Sequence, residues 1–339
     1  MRGRQSPLLD RPTAFAILHP SVRRINLDPD FVGEDIVSAA HLAPRAILLL
    51  VVFAISACKV KEAGTDSALG GDSANAASSS ASEIGAAPVA NVVTIKATDY
   101  SYDAPAEIPA GLTTIRLVTS GKEMHHATLV RLEDGKTMQD FEQAMQKPGP
   151  PPSWIVMDGG PNPPRPGGVT EETQLLEPGN YVIVCLVPSP DGTPHMVKGM
   201  IRPLTVTPST AHNAAATATP VADVTVKLLD YGFESSTPLT AGKHVIRIEN
   251  DGGQDHELVL ARLAPGKKVE DLAAWVEKMD GPPPGEPLGG VATIHPGGFG
   301  LITVDLTPGE YGFLCFVPDA KDGKPHVAHG MLQQFTIPG

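Results

Sequence analysis

Cysteine is scarce in this chain, and the three that occur, Cys58, Cys185 and Cys315, are too far apart to staple a small disulfide scaffold. Aromatic residues make up only 5%. Basic residues are in deficit, with a formal net charge of −12, which speaks against nucleic-acid binding and against anchoring to anionic lipid through a basic patch. Apolar runs are short as well. The only sustained one, AILLLVVFAISAC (Ala46 to Cys58), cannot span a bilayer stably and reads as the apolar region of a signal peptide. No Ser, Cys or Asp nucleophile constellation is visible. The Gly-rich GGVATIHPGGFG is not followed by a helix that would complete a phosphate cradle. The chain does not read as an enzyme.

Glycine and proline are abundant, with 34 of each, which favours turn-rich β structure joined by linkers. Residues 1–58 read as a signal region, although 1–44 do not fit one. An over-extended start, with Val37 or a neighbour as the initiation site, explains them. The ISAC ending resembles a bacterial lipobox, which would make Cys58 the lipidated first residue; the alternative is a plain secretory signal with Cys58 an ordinary thiol. A lipid anchor implies membrane contact at the cell envelope, on a periplasmic or extracellular face. Lys59 in place of an Asp retention signal points to the outer membrane of a diderm host.

Residues 59–90, rich in Ala, Ser and Gly, form a tether without hydrophobic period, and a second linker occupies 209–221. The blocks between and after them, 91–208 and 222–339, repeat one another at a spacing of about 131 positions. VTIKATDYSYD parallels VTVKLLDYGFE, HHATLVRLEDGK parallels HELVLARLAPGK, and LEPGNYVIVC parallels LTPGEYGFLC. Period-two alternation predicts half-buried strands, while YVIVCLV and YGFLCFV, apolar on both faces, predict central ones. Met138, Phe141 and Met145, like Val269, Leu272 and Val276, fall at helical spacing, so each block carries one short helix. Each block therefore reads as a β-sandwich of about seven or eight strands.

Within each block, one His, one Cys, a second His and a Met recur in fixed order: His125, Cys185, His195 and Met200, then His256, Cys315, His326 and Met331. Two imidazoles, a thiolate and a thioether are the soft set that selects copper. The first His before a middle strand, the PGxY turn, the strand ending in Cys and the PHxxxGM run together resemble the cupredoxins, the blue-copper family, over residues 91–337. The resemblance implies an all-β fold class, two tandem cupredoxin-like Greek-key β-sandwiches, each with a short helical insertion. It also implies one copper per domain, outer-sphere electron transfer with a redox protein partner, and His195 and His326 exposed as electron ports.

One departure concerns the Cys-to-His loops, LVPSPDGTP and FVPDAKDGKP, which are longer than in plastocyanin-like sites. Loop closure costs little, but the rigidity of the site is at stake. Other readings of the residues stay open: a Cys185–Cys315 disulfide, two buried cysteines acting as small hydrophobes, copper buffering or delivery with the same ligands, or a metal-free binding module. His126, Met196 and His329 have no counterpart in the other block and read as neighbours of the site or as surface residues. Multicopper oxidases need additional His pairs, and no H-x-H occurs here.

Overall fold

Period-two alternation of apolar residues produces the expected sheets. The computed structural model describes residues 90–147, 149–209 and 219–339. The signal region, Cys58, the first linker and most of the second lie outside the described residues. In the first repeat the strands are β1 (Asn91–Thr98), β2 (Ser101–Asp103), β3 (Glu107–Pro109), β4 (Gly111–Thr119), β5 (Thr128–Leu132), β6 (Ile155–Met157), β7 (Val169–Leu176), β8 (Gly179–Val184) and β9 (Ile201–Thr207), with helix α1 at Met138–Met145. The second has β10 (Val224–Leu229), β11 (Gly232–Ser235), β12 (Gly242–Asn250), β13 (His256–Leu263), β14 (Gly285–Ile294), β15 (Phe299–Leu306), β16 (Gly309–Leu314) and β17 (Leu332–Ile337), with helix α2 at Val269–Val276. The first repeat exceeds the expected strand count because three of its strands are three-residue pieces.

The two-faced burial predicted for the central strands is present. Tyr181 and Ile183 of β8 enter the core between the sheets, whereas Val182 and Val184 face outward under α1 and meet Phe141. In the second repeat Tyr311 and Phe313 point inward and Leu314 packs with Val269 and Leu272 of α2. Each helix thus covers an apolar sheet face; burying Phe141 or Leu272 stabilises by about 1.5–3 kcal/mol. Thr137 caps α1 reciprocally with Asp140, at 3.3 and 2.9 Å.

Both layers continue from one repeat into the other. Strands β11-β10-β12-β15 and β7-β4-β1-β2 form one sheet, joined where Leu301 pairs with Thr173. The sheets β3-β9-β8-β5-β6 and β14-β13-β16-β17 meet through the bridges Asp158 to Ile294, Pro161 to Val291 and Pro164 to Leu288. Pro161 follows Gly159-Gly160 and Val291 follows Gly289-Gly290, so equivalent residues face one another in antiparallel sense. The contact has a local pseudo-twofold axis.

The first half of the Gly-rich stretch 289–300 is therefore strand β14, and it ends in the start of β15. Its glycines are needed for close approach: at Gly160 (φ +102°) a Cβ would collide with the Ala127 carbonyl oxygen, and at Gly290 (φ +133°) with that of Leu258. Near the same contact, Glu172 of β7 is fully buried, and neither carboxylate oxygen has a hydrogen-bond partner among the described residues. A Cβ on Gly300 of the second repeat would strike its Oε1. Burial first, and the Asp158 charge second, push its pKa well above the usual carboxylate range.

Two predictions follow from this contact. Gly160→Ala or Gly290→Ala should each destabilise the protein by about 1–3 kcal/mol in urea unfolding. Gly167→Ala, at positive φ but with open space around it, should cost less. The raised pKa of Glu172 means that the folded state keeps a proton the unfolded chain gives up. The stability linked to that proton is complete below the unfolded value of about 4.5 and is lost as pH rises above it. Wild type and Glu172→Gln should therefore melt alike near pH 4, with the variant about 1–3 kcal/mol more stable at pH 8. A wild type no more sensitive to alkali than the variant would refute this assignment.

Candidate metal centre

Strand β8 delivers Cys185 and strand β16 delivers Cys315 at their C-terminal ends, on the face that points into the core. The first histidines arrive from the neighbouring strand: His125 just before β5, and His256 as the first residue of β13. His195 and His326 return from the loops after each cysteine, His326 as the start of a 3-10 helix, His326–His329. The donors converge in both repeats. His125 Nδ1 lies 3.1 Å from His195 Nδ1, which lies 3.4 Å from Cys185 Sγ. In the second repeat the matching distances are 3.0 and 3.3 Å, with Cys315 Sγ 3.9 Å from His256 Nδ1. All six side chains are fully buried, and each set of three donor atoms falls within 4.8 Å.

The long Cys-to-His loops turn out to be braced. The chain leaves at Val187 and re-enters at His195, whose N–H donates to the Val187 carbonyl at 2.9 Å; the residues between close as a tight hairpin pinched by the Pro188 to Pro194 bridge. His326 donates to Val317 at the same distance, with a Pro318 to Pro325 bridge. The extra residues therefore add a side hairpin without widening the ring that holds the donors. Met200 and Met331 are tied into that ring by backbone. Met200 N–H donates to His195 O, and Cys185 N–H to Met200 O, at 2.9 and 3.1 Å. Met331 and Cys315 repeat this at 3.0 and 3.2 Å, and both methionine side chains are fully buried in the same core clusters as the cysteines.

With Nδ1 facing the centre, three of the four rings are held from behind through Nε2. His125 Nε2 lies 3.1 Å from Asp99 and His256 Nε2 lies 3.0 Å from Asp230. Such a carboxylate accepts the Nε2 proton and so leaves Nδ1 free as a lone-pair donor. The second histidines differ. His195 Nε2 is 2.7 Å from Glu123, which precedes the first histidine in sequence. In the second repeat that position is Gln254, and the acid has moved to the other loop as Asp319, 3.9 Å from His326 Nε2, where Ser189 stands in the first repeat. His326 Nε2 has no hydrogen-bond partner among the described residues.

Burial dominates the electrostatics. It pushes the Cys185 thiol up to about 12 and raises that of Cys315, where Glu257 adds to the effect. It lowers His125 and His256 against the opposing pull of their aspartates, and takes His326 down to about 4. The buried thiols are therefore held protonated and His125, His256 and His326 neutral, and a cation entering either site replaces the thiol proton. Two imidazoles and a thiol on a buried, pre-formed scaffold fit a soft or borderline metal ion.

The structure brings together the three donors expected in each repeat and buries Met200 and Met331 in the same cores, but it corrects the expectation on exposure. His195 and His326 are fully buried, because Tyr100 and Tyr231 stand edge-on over them with ring centroids 5.3 and 5.6 Å away. Both tyrosines sit at positive φ, +67° and +70°, in the turn that splits DYSYD and DYGFE, runs read as continuous strand. Each is fixed by a carboxylate, Tyr100 donating to Glu123 at 2.7 Å and Tyr231 to Asp319 at 2.5 Å. The cysteines are free, so the disulfide reading fails. His126 is buried beside the site, burial taking its pKa down to about 3, and accepts the N–H groups of Leu186 and Val187 at 2.6 and 3.2 Å. Met196 packs at the edge of the α1 cluster, and His329 is partly exposed 3.1 Å from Asp322.

No family model matches the chain, and no curated protein matches it. Solved structures do. Auracyanin from Roseiflexus castenholzii is 23% identical over 35% of this chain and 98% of its own, with a TM-score of 0.25. Auracyanin A from Chloroflexus aurantiacus is 21% identical over 34% and 99%, at 0.24. The copper nitrite reductase from Nitrosomonas europaea is 13% identical over 74% and 94%, at 0.21. Each repeat thus carries two β-sheets, a Cys-bearing central strand and a returning His loop, and the chain carries this arrangement twice in tandem.

Proposed function

We propose that each repeat would bind one copper ion, through His125, Cys185 and His195 or through His256, Cys315 and His326, with Met200 and Met331 as further, weaker thioether donors. The protein would then pass single electrons to and from a redox protein partner. The observation that carries this reading is the convergence, twice, of two Nδ1 atoms and one Sγ in a fully buried core. Zinc favours four firm donors, whereas two imidazoles, one thiolate and a weak thioether suit copper. Bound copper supplies a one-electron couple. The residues supply the rest: Asp99 and Asp230 orient the rings, and the braced loops keep the donors in place in either charge state. Electron exit would cross Tyr100 and Tyr231, since the imidazoles beneath them are covered. Copper buffering would use the same donors, but release would have to break the backbone ring around them. The ISAC run supports lipid attachment of Cys58 and a place at the cell envelope.

Titrating the full chain with Cu(II) should give an intense thiolate-to-copper absorption band that saturates at two equivalents. Cys185→Ser or Cys315→Ser should each remove about half of it, and the double variant all of it. Absence of the band, or its persistence in the double variant, would sink the copper reading. Without metal, mass-mapped iodoacetamide labelling should leave Cys185 and Cys315 unmodified in the native protein and label both on unfolding, as burial and the raised thiol pKa values require.

A further inference from the structure

The two centres differ at the residue after the first histidine, and the difference leads across the pseudo-twofold contact. In the first repeat this residue is His126. It draws its partners from its own repeat: Thr128 Oγ1 at 2.9 Å and the two N–H groups that follow Cys185. In the second it is Glu257, whose Oε1 accepts the Phe316 N–H, next to Cys315, at 2.9 Å. The Glu257 N–H lies 3.4 Å from Cys315 Sγ and donates to it. His126 and Glu257 thus staple the Cys strand to the His strand in their own repeats, by different chemistry.

The other oxygen, Glu257 Oε2, is reached from the first repeat, by Asn162 Nδ2 at 3.3 Å. Asn162 is 1% exposed. Its two Nδ2–H bonds serve the carbonyls of Leu258 and Val291 at 3.0 and 2.9 Å, one of them shared with Glu257 Oε2, while its backbone N–H donates to Gly290 O and its own carbonyl accepts from Thr170 Oγ1. The amide thus ties the Glu257 carboxylate and the Leu258 carbonyl of β13 to β14.

We propose that Asn162 is a positioning residue for the second centre: acting through Glu257, it fixes the place of Cys315, so that the first repeat completes a site formed by the second. The loaded form of this inference rests on the copper reading. A buried carboxylate oxygen that loses its donor is costly, so without the Asn162 amide Glu257 turns away and releases the peptide beside Cys315. The first centre, stapled by His126, does not depend on Asn162.

The test places Asn162→Ala in two backgrounds, Cys185→Ser to read the second centre alone and Cys315→Ser to read the first. Copper should bind the second centre about tenfold or more weakly, with a shifted band, while the first stays within about twofold. Thr170→Val, which loosens the same contact without touching Glu257, should leave both centres unchanged and separates positioning from general loss of stability. In the metal-free full chain, Asn162→Ala should raise the iodoacetamide labelling rate of Cys315 about fivefold or more relative to Cys185. Change confined to the second centre in either readout supports the proposal. An unchanged second centre with unchanged labelling overturns it, as does equal loss at both centres. Selective labelling with no copper band in either background leaves the positioning role standing and removes the copper reading instead.

Discussion

A closed ring of backbone hydrogen bonds holds the donors of each repeat, and the rest of the site depends on it. Cys185 gives its N–H to Met200, Met196 gives its own to Cys185, and His195 gives its own to Val187. Because these bonds lie in the core they have no water to compete with them, and an unmade one would cost about 1–3 kcal/mol. The side chains therefore inherit their positions from the chain path. That is why two sandwiches of quite different sequence present donor sets with nearly the same distances.

Behind that ring, the two repeats reach the same electrostatic end by different residues. A carboxylate stands behind each second histidine, yet it comes from the loop before β5 in one repeat, as Glu123, and from the Cys-to-His loop in the other, as Asp319. Both carboxylates are held below the usual range despite their burial: Glu123 by hydrogen bonds from Tyr100 and His195, Asp319 by Tyr231 and backbone N–H groups of its own turn. What is common to the repeats is the position of the charge in space.

This explains what could be read from the sequence. The strands and both short helices were legible because their periodicity directly reflects which side chains face apolar surroundings. The donor residues were legible because metal ligation admits few residue types and the Cys strand and His loop keep their order. Tyr100 and Tyr231 were not, because a tyrosine at positive φ leaves no mark in an alternating apolar pattern. The role of Glu257 was hidden for another reason: it stands at the position of His126 but does the same task with a different residue type. The role of Gly159-Gly160 and Gly289-Gly290 needed the partner strand in view, since the carbonyl that excludes a Cβ belongs to a residue distant in sequence.

The pseudo-twofold contact has a consequence for how such a chain could arise. Its two bridging segments face their own equivalents in antiparallel sense, and β7 and β15 continue one another's sheet. Such an interface is self-complementary, the kind that two identical single sandwiches would form on meeting. A one-repeat ancestor could thus have paired with a copy of itself before duplication joined the two. Covalent linkage would then have freed the halves to differ, as they do at His126 and Glu257.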